Sequence, residues 1–133
     1  MAKDLYIARL KSVPLFKSLS KRELDLLLRQ ADHLRFPARY RVVREGSSGE
    51  EFWMVIEGEL AVHRGGQDVA HLGPGDHFGE IALFHDVPRN ATVTADADLS
   101  CLALSSWEFR PFVEAHPMVA WQLLETMSVR LAN

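Results

Sequence analysis

Glu80 and Arg89 stand nine residues apart in the stretch Gly75 to Ala95, GDHFGEIALFHDVPRNATVTA. Arg89 is the one lysine or arginine between Arg64 and Arg110. Gly79-Glu80-Ile81-Ala82-Leu83 predicts a short helical turn opened by a glycine. The first backbone N–H groups of such a turn have no internal partner and favour an anion. Gly79 lets a ligand approach the backbone closely. Arg89 follows Pro88 at the start of the next predicted strand. If the loop folds back, its guanidinium faces the same anion with a planar fork suited to phosphate. Ala91 is small, so its backbone N–H can reach the ligand too. Glu80 is a poor neighbour for a phosphate but a good acceptor for a sugar hydroxyl, as acidic residues are at the ribose of dinucleotides. The ligand implied is one phosphate on a sugar with a free hydroxyl. A glutamate beside that phosphate disfavours triphosphates.

These residues need a frame. Lys3 to Lys11 reads as a short helix, broken at Val13-Pro14-Leu15-Phe16. Ser20-Lys21-Arg22-Glu23 has capping-box form. Leu24, Leu27, Leu28 and Ala31 then follow at helical spacing, predicting a helix over Lys21–Gln30. From His33 the pattern becomes short apolar or alternating segments: His33–Phe36, Tyr40–Arg44, Glu51–Ile56, Leu60–Arg64, Val69–Leu72, Ala91–Ala95 and Leu99–Leu104. Glycine and proline turns separate them, which predicts an all-β sandwich or barrel. Ser105-Ser106-Trp107-Glu108 is a second capping-box candidate for a helix to Ala115. Pro117 suits the start of another helix. Met118 to Leu131 then carries an apolar face at Leu124, Met127 and Leu131, with Trp121 and Leu123 beside it.

At this point the chain resembles the cyclic nucleotide-binding domains, which include the regulatory subunits of cAMP-dependent kinase, the catabolite activator proteins and the cyclic-nucleotide-gated channels. Their phosphate-binding cassette, F-G-E-[LI]-A-L, a variable loop, then P-R-x-A-[TS]-V, is matched by Phe78-Gly79-Glu80-Ile81-Ala82-Leu83, then Phe84-His85-Asp86-Val87, then Pro88-Arg89-Asn90-Ala91-Thr92-Val93. Gly46, Gly49, Gly58 and Gly73-Pro74-Gly75-Asp76 have counterparts upstream. The resemblance spans Leu15 to Leu131. It implies a mainly β fold, an eight-stranded jelly roll with N-terminal helices and two C-terminal helices. The expected organisation is one domain over residues 1–133: helices in 1–31, the β-roll in 32–105 with the cassette at 78–93, and helices in 106–132.

The resemblance also implies site roles. Glu80 and Gly79 take the ribose 2′-hydroxyl. Arg89 takes the cyclic phosphate, aided by the N–H groups of Ala82 and Ala91, with Ile81 and Asn90 beside them. Val62 and Leu72 line the base or sugar side. The ligand is cAMP, ahead of cGMP, and the readout is a swing of the C-terminal helix toward a protein effector or a missing domain. That helix is also a candidate homodimer surface. Asn90 replaces the Ala, Ser or Thr of many relatives, and its amide both donates and accepts, so it does not choose the base. Base-capping residues of several relatives lie near or past the position of Asn133.

Other classes weigh less. A cupin-type metal enzyme built on His77, Glu80 and His85 needs a His-x-His pair, and the sequence has none. Ser105-Ser106 lacks a nucleophile-elbow context, and Cys101 reads as a buried apolar residue. The expectation is a non-catalytic domain without a metal or cofactor. An interaction module of the same fold with little ligand affinity is the alternative. Trp53, Trp107 and Trp121 read as packing residues, with Trp107 or Trp121 over the nucleotide as the minor reading.

Charge is uneven within the 133 residues. Residues 1–45 hold 11 Lys/Arg and 5 Asp/Glu, and residues 46–133 hold 4 and 13, which sums to the net −3. The basic residues are scattered, unlike a nucleic-acid surface. Without a helix-turn-helix after the last helix, no nucleic acid is expected for this chain alone. No apolar run approaches the ~20 residues of a membrane span, and the first residues lack a secretory signal. With Cys101 the single cysteine, a cytoplasmic location is the default.

Overall fold

A computed structural model describes residues 2–84 and 87–132. Helix α1 (Ala2–Ser12) runs into a 3-10 turn at Pro14–Phe16, and α2 (Lys21–Gln30) follows. The predicted capping box at α2 forms in full: Glu23 N–H donates to Ser20 Oγ at 3.2 Å, and Ser20 N–H donates to Glu23 Oε1 at 2.8 Å. Leu24, Leu27 and Leu28 are its buried residues.

Eight strands come next: β1 (Asp32–Phe36), β2 (Arg41–Val43), β3 (Glu51–Glu57), β4 (Leu60–Arg64), β5 (Gln67–Leu72), β6 (His77–Phe78), β7 (Thr92–Ala95) and β8 (Leu99–Ser105). They form two four-stranded sheets, in the orders β1-β8-β3-β6 and β2-β7-β4-β5, with every pair antiparallel. This is the jelly-roll expected. Seven strands match the predicted segments within a few residues; β6 is two residues long and has no pattern of its own.

The run Glu51-Phe-Trp-Met-Val-Ile-Glu57 is nearly all apolar because both faces of β3 are covered. Alternate side chains point to opposite faces. Phe52, Met54 and Ile56 join the helices' core with Leu10, Phe16, Leu24, Phe109, Val119 and Leu123. Trp53 and Val55 join the inter-sheet core with Leu60, Phe78, Val93, Leu99 and Cys101. Burial pushes the Cys101 thiol up to about 12, which keeps it an inert apolar residue.

Helices α3 (Ser106–Ala115) and α4 (Pro117–Ala132) complete the chain. Two expectations need correction here. Ser105 is the N-cap of α3, but its side chain makes no cap bond to the backbone. Its hydroxyl donates instead to Glu108 Oε1 at 2.6 Å, and Ser106 N–H is taken by the Glu50 carbonyl at 2.9 Å. The buried stripe of α4 is Val119, Gln122 and Leu123 rather than Leu124, Met127 and Leu131. Trp121, Leu124 and Leu131 face outward at 65%, 54% and 86% exposure. α4 is apolar on two sides, so periodicity alone could not tell which side meets the core. No helix among the described residues is long and apolar enough to cross a membrane.

Candidate functional site

β6 runs into Gly79, whose φ of +84° turns the chain into a 3-10 turn at Glu80–Leu83. Glycine is required there for two reasons. The backbone is left-handed, and a β-carbon would meet the Glu51 carbonyl at 2.7 Å and Arg89 Nη1 at 2.9 Å. Gly49 leaves a second gap, since a β-carbon on it would meet Arg89 Nε at 2.5 Å. The Arg89 side chain therefore lies between two glycines, one on the approach to β3 and one in the turn.

Arg89 Nη2 donates to the Glu51 carbonyl at 2.8 Å and lies 3.6 Å from that residue's carboxylate. Its backbone is pinned as well, with Arg89 N–H on Ser47 O at 2.8 Å and Gly46 N–H on Arg89 O at 2.7 Å. Burial pulls the guanidinium pKa down, and the charges of Glu51 and Glu80 oppose that. Glu51 supplies a partner the sequence did not announce, because the main contact is to its carbonyl and any residue has one.

Glu80 is buried at 8% exposure. Its carboxylate is occupied by the end of the chain: Arg130 of α4 donates through Nη1 to Glu80 Oε1 and through Nη2 to the His77 carbonyl. His77 Nδ1 lies 3.2 Å from the same Glu80 oxygen. The two are close but not aligned as a hydrogen bond, and both ring nitrogens of His77 are buried without one. Burial pushes the Glu80 carboxyl up, but His77 and Arg130 together outweigh it and hold it below the usual carboxylate range. The group stays an anion in a poorly solvated place.

The other predicted site residues have the following places. Ile81 is exposed, and Ala82 N–H donates to the Gly79 carbonyl at 3.2 Å. Ala91 is buried. Asn90 is exposed, and its carbonyl accepts from Arg64 Nε at 3.1 Å. Val62 and Leu72 pack against the inter-sheet core. Trp107 and Trp121 are both mostly exposed. His85 and Asp86 lie outside the described residues. Among the described residues no three His, Cys, Asp or Glu side chains converge as a metal group. Arg130 is the site neighbour that sequence reasoning missed, and His77 was weighed beside Glu80 only as a metal ligand. The available signal was that Arg130 is the one lysine or arginine in α4.

A β-roll that buries an acid and a base at one glycine turn, with a terminal helix gripping the acid, defines a ligand-binding regulatory domain. Residues 33–116 match the cyclic nucleotide-binding domain family, and the chain belongs to it. It is 41% identical to a cAMP-dependent protein kinase regulatory subunit of Eremothecium gossypii, covering 80% of this chain and 23% of that protein. It is 32% identical to the Cyclic AMP receptor protein of Thermus thermophilus, covering 92% of this chain and 59% of that one. Among solved structures, the Thermus thermophilus Catabolite Activator Protein superposes with a TM-score of 0.80 at 31% identity, over 90% of this chain and 58% of that chain. The sensor domain of the transcriptional regulator DNR from Pseudomonas aeruginosa superposes with a TM-score of 0.82 at 25% identity, over 98% and 91%. The chain thus spans only part of both curated relatives.

Proposed function

We propose that this chain is the ligand-binding part of a cyclic nucleotide sensor, and that its ligand is a cyclic mononucleotide, cAMP ahead of cGMP. Glu80 and Gly79 take the ribose 2′-hydroxyl. Arg89 exchanges the Glu51 carbonyl for the cyclic phosphate, aided by the N–H of Ala91 and by that of Ala82 once it leaves the Gly79 carbonyl. Ile81 and Asn90 border the phosphate, and Val62 and Leu72 border the sugar or base. The domain binds and reports; it does not catalyse. The names of two relatives, a cAMP-dependent kinase regulatory subunit and a cyclic AMP receptor protein, support a ligand of this class.

One observation carries the sensor reading: Arg130 of α4 holds the carboxylate of Glu80. Whatever engages Glu80 acts on α4 at the same moment. A ligand shifts the position of α4 by as much as its affinities for the two arrangements differ. The downstream reader is a protein effector or an effector domain outside this segment, working in the cytoplasm. Trp121, Leu124, Ser128 and Leu131 repeat at alternating spacings of three and four on the exposed side of α4, a heptad seam suited to a second copy of the same helix.

Titration calorimetry with cAMP, cGMP, AMP, ATP and a cyclic dinucleotide tests the assignment. Saturable binding of a cyclic mononucleotide, with AMP and ATP far weaker, is expected. Absence of binding by either cyclic mononucleotide sinks it in favour of an interaction module.

A further inference from the structure

Besides the shared apolar core, a polar side chain ties the junction between α3 and α4 to the start of α2. His116 sits between the two helices. Its N–H donates to Val113 O at 3.1 Å, and its carbonyl accepts from Val119 N–H at 2.9 Å. Its ring faces two oxygens. Nδ1 lies 2.8 Å from the Phe112 carbonyl and Nε2 lies 2.7 Å from Glu23 Oε2. The ring also stacks on Phe112, with centroids 4.2 Å apart.

A carbonyl oxygen only accepts, and so does an ionised carboxylate. Both ring nitrogens must carry protons for both contacts to be hydrogen bonds. Only an imidazolium makes both bonds at once. A neutral ring has one N–H, so it keeps one of the two bonds and turns a lone pair toward the other oxygen, the Phe112 carbonyl or the Glu23 carboxylate. Glu23 in turn is fixed by its capping box with Ser20, whose backbone and side-chain hydrogen bonds hold its carboxyl below the usual range, with His116 adding to them. Glu23, from α2, is the charged group that the described contacts place against His116; on its own side the ring meets Phe112 of α3.

We propose that His116 is a positioning residue for α4: its protonated ring latches the α3–α4 junction to the capped start of α2, and losing that proton loosens α4 and its Arg130 from Glu80. The latch works in the chain without ligand and does not rest on the identity of the nucleotide.

The test is hydrogen exchange of the full chain, without nucleotide, at about pH 6 and about pH 8.5, either side of the range where imidazole titrates. Rates are corrected for intrinsic exchange. In the wild type, peptides of α4 should open about threefold more at the higher pH, the scale of a partly exposed ion pair. His116→Gln carries a donor near the place of Nε2 but does not titrate, so its α4 should exchange alike at both values. Glu23→Gln keeps the capping-box form, and so the start of α2, while removing the charge; its α4 should be loose already at the lower pH. A wild-type profile without pH dependence overturns the latch. So does one that His116→Gln reproduces, because a purely structural role would leave that profile unchanged.

Discussion

Arg130, in the last turn of α4, holds the carboxylate of Glu80, fifty positions earlier in the chain. The same guanidinium takes the carbonyl of His77, so it bridges the strand before the glycine turn and the first residue after it. The end of the chain is thereby attached to the centre of the candidate site. A nucleotide that engages Glu80 meets a carboxylate that already has a partner.

Replacing Arg130 by methionine should lower stability at neutral pH by about 1 kcal/mol. Its side chain is 37% exposed, so solvent screens part of a contact that would otherwise be worth more. The pH dependence has a definite sign. Glu80 has a depressed pKa in the folded chain, so its stabilising contribution is present above its ordinary value of 4.5 and is lost as pH falls through the folded value. Without Arg130, burial regains weight and the carboxyl moves up. Melting temperatures between about pH 3 and pH 7 should show the variant losing stability at a higher pH than the wild type. Parallel acid profiles would mean that Arg130 does not set the ionisation of Glu80.

Arg89→Ala should weaken cyclic nucleotide binding by about tenfold or more, since a buried charge-assisted bond is worth roughly 1.5–3 kcal/mol. Calorimetry on both proteins measures it. Equal affinities would remove Arg89 from phosphate binding.

Glu80→Gln should separate the sugar from the phosphate. A loss of roughly tenfold is expected for ligands with a free 2′-hydroxyl, and a smaller loss for 2′-deoxy analogues. Competition binding with both ligand sets gives the ratio. An unchanged ratio between them rules out the ribose role.

Gly49→Ala tests placement rather than chemistry. The new β-carbon would sit 2.5 Å from Arg89 Nε, so the guanidinium must move. Binding should fall by roughly tenfold while the melt shifts by about 1 kcal/mol or less, because the displaced group is the end of a long side chain. A large stability loss with unchanged affinity would show that the guanidinium has found an equivalent place.

How much of this was legible in the sequence differs by kind of contact. The doubly covered strand at Glu51–Glu57 and the capped helix at Lys21–Gln30 announce themselves through periodicity and cap residues, which are local. Although each takes a different partner, Arg130 for Glu80 and Glu51 for Arg89, that Glu80 and Arg89 belong to one glycine-lined turn region is legible because glycines mark the turn and only one cation stands near it. Arg130 is not, since its partner is set by how α4 packs, and α4 has two apolar sides. Its exposed side was read as its buried one for that reason. The partner of Arg89 was hidden for another reason: a backbone carbonyl has no residue type. The cap of α3 failed because Ser105 found a carboxylate oxygen in place of an N–H, which a matching four-residue pattern does not exclude.

The parking of Arg89 on a main-chain oxygen sets the terms of trade at the site. Its Nη2 is satisfied by a neutral dipole at 2.8 Å, while the Glu51 carboxylate stands off at 3.6 Å. The cation is held in shape without being neutralised. An incoming anion would compete with that carbonyl and with the longer contact to the Glu51 carboxylate, and the arm need not be reordered from solvent. A neutral hydroxyl or amide offers no gain over the carbonyl it would replace. On the proposed reading, the carbonyl contact therefore acts as a threshold that favours charged over neutral ligands.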